Sequence, residues 1–224
     1  MNRKLACLLG VLVLAIAMPA SADILYNNLG PSGNVYNCCS GWTVSGTGTV
    51  GTSFTAANLF TMSGSGTFSL TQIDLGVGYV TGLNSFYASI WTDNAGLPGS
   101  QVAGARWDNL SSSQNFGGCC GLVTISNISG VSLTGGQQYF VILGPEHLTD
   151  TTWEAWNQNS TGATGLDLYS TDGGQTWNSN GTQPVGAIEI QGSAGGGTVP
   201  EPSSLLLFGT GLLGVVGAVR RKLR

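Results

Sequence analysis

Apolar residues in the middle of this chain recur at every second position. Phe68 and Leu70, then Ile73, Leu75 and Val77, then Phe86, Ala88 and Ile90 keep this rhythm. A period of two sends alternate side chains to opposite sides of an extended backbone, so each run reads as a strand with one face buried. Residues 139–143 form an unbroken Tyr-Phe-Val-Ile-Leu run, the pattern of a central strand covered on both faces. Further on, Gly186, Ile188 and Ile190 mark an inward face and Glu189 an outward position. Turn formers stand between the runs, at Thr81-Gly82, at Asp93-Asn94-Ala95-Gly96-Leu97-Pro98-Gly99, at Gly135-Gly136 and at Asp172-Gly173-Gly174. No stretch of residues 23–192 sustains a helical period. Short strands at close spacing predict an all-β fold, an antiparallel jelly-roll-like sandwich. By length, residues 23–192 are one domain, with enough chain to bury a core without metal or disulfide support.

The two ends obey different physics. Arg3 and Lys4 precede an apolar run over 5–18, and Ala20-Ser21-Ala22 supplies the small-x-small pattern of a signal-peptidase site. Residues 1–22 are therefore expected to be a signal peptide, removed with Cys7, and the mature chain to begin at Asp23. At the other end, 193–198 is a Gly-rich linker, followed by Val199-Pro200-Glu201-Pro202-Ser203-Ser204, an uncharged span over 205–219 and Arg220-Arg221-Lys222-Leu223-Arg224. A helix over 205–219 would cover roughly 22 Å of a hydrocarbon core of about 30 Å. Starting at Pro202 lengthens it to the lower limit for spanning, which predicts a transmembrane helix at about 203–219. Gly209, Gly211, Gly214 and Gly217 weaken that helix, so the segment suits temporary retention. The basic cluster favours the cytoplasmic side and places the preceding chain outside. An ordinary single-pass anchor is the competing reading, because hydropathy does not register cleavage.

The order Val-Pro-Glu-Pro-Ser, Leu/Gly-rich span and Arg-Arg-Lys over 199–224 resembles the PEP-CTERM sorting signal of Gram-negative bacteria that make exopolysaccharide. The resemblance implies processing by an exosortase, a membrane transpeptidase with a cysteine nucleophile, with Pro200, Glu201 and Pro202 as the recognised residues. It further implies an exported protein, transiently anchored in the inner membrane and then passed to the cell surface or extracellular matrix. The body, with Ile24-Leu25-Tyr26-Asn27-Asn28-Leu29-Gly30 at its start and a strand and turn over 91–99, resembles the choice-of-anchor passenger domains of bacterial surface proteins. That likeness implies a fold and a location.

Charge and cysteines narrow the body further. Arg106 is the single basic residue of 23–192 against ten carboxylates, a net charge near −9, which excludes nucleic-acid binding through phosphate neutralisation. Four cysteines stand there as two adjacent pairs, Cys38-Cys39 and Cys119-Cys120, each flanked by turn formers. An even count in an exported domain predicts disulfides joining two loops, with three connectivities open. A cross-link closing about eighty residues contributes roughly 4 kcal/mol in the chain-entropy model. Zinc is disfavoured, since ligand pairs usually leave two or more residues between them and adjacent side chains of a strand diverge. No metal and no cofactor are expected.

The residues Ser170-Thr171-Asp172-Gly173-Gly174-Gln175-Thr176-Trp177 match the Asp-box pattern and resemble the hairpin corners of sialidases. The resemblance implies that Ser170, Asp172, Gly174, Thr176 and Trp177 fix a turn. Sialidases repeat the box and clamp substrate with an arginine triad, whereas this body has one box and one arginine, so that activity is excluded. Other glycan hydrolysis requires two carboxylates roughly 5–9.5 Å apart. Glu146, Asp150 and Glu154 are near in sequence, but nothing aligns them, and His147, the chain's one histidine, has no visible nucleophile partner. Nucleophile-elbow, zinc-protease and phosphate-loop motifs are absent. Among six tryptophans, Trp153 and Trp156 make the best candidate glycan contacts, although alternation puts them on opposite faces and core packing competes. Asp93-Asn94-Ala95-Gly96 reads as a turn before a calcium site. The sequence as a whole predicts a non-enzymatic surface or matrix protein associated with exopolysaccharide or biofilm. A carbohydrate-binding module using exposed tryptophan and a glycan hydrolase are the alternatives.

Overall fold

Each run with a period of two is strand in the structure, a computed structural model that describes residues 22–194. Ala20 with most of the expected signal peptide, the linker from residue 195, Pro200, Glu201, Pro202 and the expected helix at about 203–219 lie outside the described residues. Among the described residues, 22–194, no helix is long and apolar enough to cross a membrane.

The strands form three antiparallel sheets. In the first, β1 (Asp23–Asn27) pairs with β14 (Ile188–Ala194), which pairs with β4 (Thr67–Leu75). The far edge of β4 is shared end to end by β8 (Val123–Ile125) and β9 (Ser132–Thr134). The second sheet has six strands in the order β13 (Asn178–Pro184), β12 (Thr164–Ser170), β3 (Thr55–Thr61), β10 (Gln138–Pro145), β6 (Phe86–Asn94), β7 (Leu97–Leu110). In the third, β11 (Trp153–Asn159) lies between β2 (Tyr36–Ser45) and β5 (Val77–Thr81). One helical turn, α1 (Thr47–Val50), connects β2 to β3.

The alternation explains the packing. Leu70, Ile73 and Leu75 of β4 and Ile188 and Ile190 of β14 face Ala56 and Phe60 of β3, Ala88 and Ile90 of β6 and Val141 and Leu143 of β10 in one core. The unbroken run of β10 serves both faces as its composition predicts. Phe140 and Ile142 join Ala57, Tyr87 and Leu168 in a second cluster on the opposite side, covered by Leu59, Trp91, Leu166 and Trp177.

Two boundaries differ from the sequence reading. The run through Ile73, Leu75 and Val77 is broken at Gly76, where the chain leaves the first sheet for the third. A Cβ there would lie 2.8 Å from the Tyr36 ring, and the Gly76 N–H donates to Ala187 at 3.0 Å, so the close approach admits only glycine. At the end of the body, β14 takes Ser193 and Ala194 from the expected linker, because they continue the ladder opposite Ser69 and Phe68.

Candidate functional site

The cysteine pairs meet, and one bridge forms. Cys38 and Cys119 are joined across a separation of 81 residues, with Cα atoms 5.6 Å apart, while Cys39 and Cys120 are free. The expectation of a disulfide for all four is corrected by strand geometry. Cys38 and Cys39 are neighbours on β2, so their side chains leave opposite faces and Cys39 turns to solvent. Cys119 and Cys120 lie in a loop, and the sulfurs of Cys38, Cys119 and Cys120 all come within 4.8 Å of one another. Around them, the Tyr36 hydroxyl donates to the Gly121 carbonyl at 2.9 Å and the Gly117 N–H to the Cys38 carbonyl at 2.8 Å, docking the loop onto β2.

The turn over 170–177 is organised by one carboxylate. Asp172 accepts the Thr176 hydroxyl at 2.6 Å and the Thr176 N–H at 2.9 Å, the Ser170 hydroxyl at 2.7 Å and the Gln175 N–H at 3.0 Å. These bonds, led by the Thr176 hydroxyl, lower its pKa to about 2. The Ser170 hydroxyl oxygen also accepts the Gly174 N–H at 2.8 Å. Trp177 leaves this turn to cover the second apolar cluster.

The tryptophan pair divides as alternation requires. Trp153 is half-buried, opposite Ser45 and Thr81. Trp156 is fully buried between Trp42 and Val77, and its indole N–H donates to the Ala187 carbonyl at 3.2 Å. Its place as a glycan contact is therefore corrected: the ring packs so tightly on Gly186 that a Cβ at that position would overlap it.

The three neighbouring carboxylates are engaged in separate structural tasks. Glu146 accepts the Asn109 N–H, and Asp150 accepts the His147 N–H at 2.9 Å. Glu154 is fully buried on β11; Ser112 donates to one of its oxygens at 3.0 Å and the other has no partner. Burial raises its pKa to about 7, with the Ser112 bond opposing that shift.

One cleft, of about 300 Å³, opens where β2 of the third sheet faces β3, β12 and β13 of the second. Trp42, Phe54 and Tyr169 supply its aromatic surface, and Thr43, Asp167 and Asn180 its polar groups. Asp167 is buried, its two oxygens accepting the Asn58 and Asn180 amides at 2.6 Å each. Burial raises its pKa to about 6, against the lowering effect of those amides. Asn58 in turn accepts the Gly186 N–H at 2.6 Å, which ties the cleft floor to the Trp156 packing.

The sequence does not disclose this cleft, because alternation in Leu166-Asp167-Leu168 normally puts leucines inward and aspartate in water. Here Leu166 and Leu168 serve the second cluster, and register places Asp167 and Tyr169 opposite Asn58 and Ala56 on the main-core face. An aspartate between two leucines in a sheet apolar on both sides was the available signal.

The chain carries a PEP-CTERM protein-sorting motif at residues 198–222. The match includes Pro200, Glu201 and Pro202 and implies an exported protein, processed by an exosortase and sorted to the surface of a Gram-negative cell. No curated protein matches the chain.

Proposed function

We propose that this chain is a non-enzymatic surface or extracellular-matrix protein, held transiently in the inner membrane by its tail and associated with exopolysaccharide or biofilm after exosortase processing. The sorting motif at 198–222 supports the reading, since it marks the chain for export and sorting to the cell surface, where secreted polysaccharide is a natural partner. The body is read as a choice-of-anchor-type passenger with a jelly-roll-like sandwich, supported by strands that repeatedly cross between sheets, β3 to β4, β7 to β8 and β9 to β10. The 170–177 segment is read as an Asp-box with a structural role, supported by bonds that all close within the turn. The cleft lined by Trp42, Phe54 and Tyr169 holds one carboxylate, Asp167, where two-carboxylate glycan hydrolysis needs a pair. A carbohydrate-binding module is the second reading, favoured by the aromatic cleft at Trp42 rather than by Trp156.

The test is replacement of Pro200, Glu201 and Pro202 together by alanine in the producing cell. The expected result is loss of the protein from the matrix and its accumulation in the inner-membrane fraction. An unchanged distribution would return the tail to a simple anchor and remove the exosortase route.

A further inference from the structure

We infer that the cleft between β2 and β12 is a binding subsite for an uncharged pyranose oligosaccharide, stacked against Trp42, Phe54 and Tyr169 and hydrogen-bonded by Thr43, Tyr169 and Asn180. The inference rests on the matrix reading above and gives it a site and a sugar class.

The first argument is composition by face. A sugar ring presents apolar C–H surfaces above and below and hydroxyls around its edge, so it fits a wall that is aromatic in one part and polar in another. Phe54 and Tyr169 supply adjacent ring surfaces, their centroids 6.3 Å apart and planes tilted by 44°, with half-buried Trp42 on the facing strand. At about 300 Å³ the cleft lies at the lower end of the usual small-ligand range, roughly 300–1,000 Å³. That size suits one or two sugar rings of a longer chain.

The second argument is the state of the polar groups. The Asn180 amide nitrogen is fixed on Asp167, which leaves the side-chain oxygen as an acceptor without a partner among the described residues. The Tyr169 and Thr43 hydroxyls make no hydrogen bond among the described residues, although both line the cleft. Behind them, buried Asp167 accepts from both Asn58 and Asn180, so the Asn180 side chain is oriented before a ligand arrives. A preoriented edge loses less side-chain entropy on binding.

Charge sets the class of sugar. The cleft has no cationic lining residue, and the body's one arginine is committed elsewhere. Arg106 bonds Asp108 at 2.8 Å and lies over the Tyr87 ring at 3.7 Å. With Asp167 behind the wall and a body near −9, a uronate or sulfated chain would meet unfavourable potential.

The experiment is calorimetric titration of the full mature chain, kept in detergent, with neutral tetraoses of glucose, mannose and galactose and with an oligogalacturonate as the acidic probe. At least one neutral tetraose is expected to bind and the acidic probe not to bind. Tyr169→Phe retains the ring and removes a hydroxyl, and Asn180→Ala alters an exposed edge residue. Each is expected to weaken binding about threefold to tenfold, the effect of one or two hydrogen bonds. Preference for the acidic probe, no binding of any neutral one, or neutral binding that both variants leave unchanged would each overturn the site. Cosedimentation with the producing strain's own polysaccharide separates the two levels: retained cosedimentation then leaves the matrix reading standing, and its loss removes that reading as well.

Discussion

The surroundings of Trp156 and the turn ending in Trp177 use the same residue types in opposite ways. Each has a tryptophan and a hydrogen-bonded carboxylate close in sequence, Glu154 two residues before Trp156 and Asp172 five before Trp177. Around Trp156 the partners come from distant parts of the chain: Trp42 and Val77 flank it, Gly186 lies against its ring and Ala187 receives its N–H. In the turn, every bond to Asp172 closes within four residues. The carboxylates respond accordingly. Glu154 and Asp167, removed from water, have raised pKa values, whereas Asp172, at the surface among donors, has a lowered one. A residue type therefore does not fix its chemistry here; burial does, since the fold takes Glu154 and Asp167 out of water and leaves Asp172 in it.

The largest test of that contrast is Trp156→Ala. Removing a fully buried indole from the junction of β2, β11 and β5 is expected to cost about 3–5 kcal/mol, read as a fall in the urea midpoint. A loss no greater than that of a surface substitution would show that the Trp156 packing does not hold the third sheet in place.

Next in size is the pH dependence set by Glu154. Below its ordinary value of 4.5, folded and unfolded chains both hold the proton and the group contributes no difference. Between there and about 7 the unfolded chain releases a proton that the folded chain retains, so stability falls as pH rises. By pH 8 the loss is on the order of 3 kcal/mol, at about 1.4 kcal/mol per pKa unit. Asp167 acts in the same direction up to about pH 6. Thermal melting at pH 5 and pH 8 should give the lower Tm at pH 8, and Glu154→Gln should flatten most of the difference. An undiminished slope in the variant would place the buried charge elsewhere.

The smallest effect belongs to the turn. Asp172→Ala removes four accepted hydrogen bonds, all local. Faster amide exchange at Gln175 and Thr176 is expected, with little change in the global Tm. The Asp172 bonds should also persist in acid until the pH falls through about 2, since a lowered pKa keeps the carboxylate charged down to that point. A global collapse of Asp172→Ala would make the turn part of the core and end the contrast.

The same division governs what was legible in the sequence. The strands through Leu70, Ile90 and Ile190 could be read because a period of two is local information. The five-residue run of β10 disclosed burial on both faces for the same reason. The run from Ile73 to Val77 was legible as extended chain but not as two sheets, since Gly76 is required by the Tyr36 ring, forty residues earlier in the chain. Adjacent cysteines were legible as two meeting points; their unequal fates depended on one pair lying in a strand and the other in a loop. The cleft was not legible at all. Trp42, Phe54, Asp167 and Asn180 are joined only when β2 folds against β12 and β13, and alternation around Asp167 points the other way.

By itself, then, the sequence determined the all-β class, the acidic body, the 170–177 turn and the sorting motif, because each is written within a few consecutive residues. Tertiary structure decided that Cys38 bonds Cys119, that Trp156 is interior, and that Asp167 stands behind an aromatic cleft. Those outcomes depend on contacts such as Asn58 with Gly186, across 128 residues, where the excluded water and the available partners are supplied by the fold.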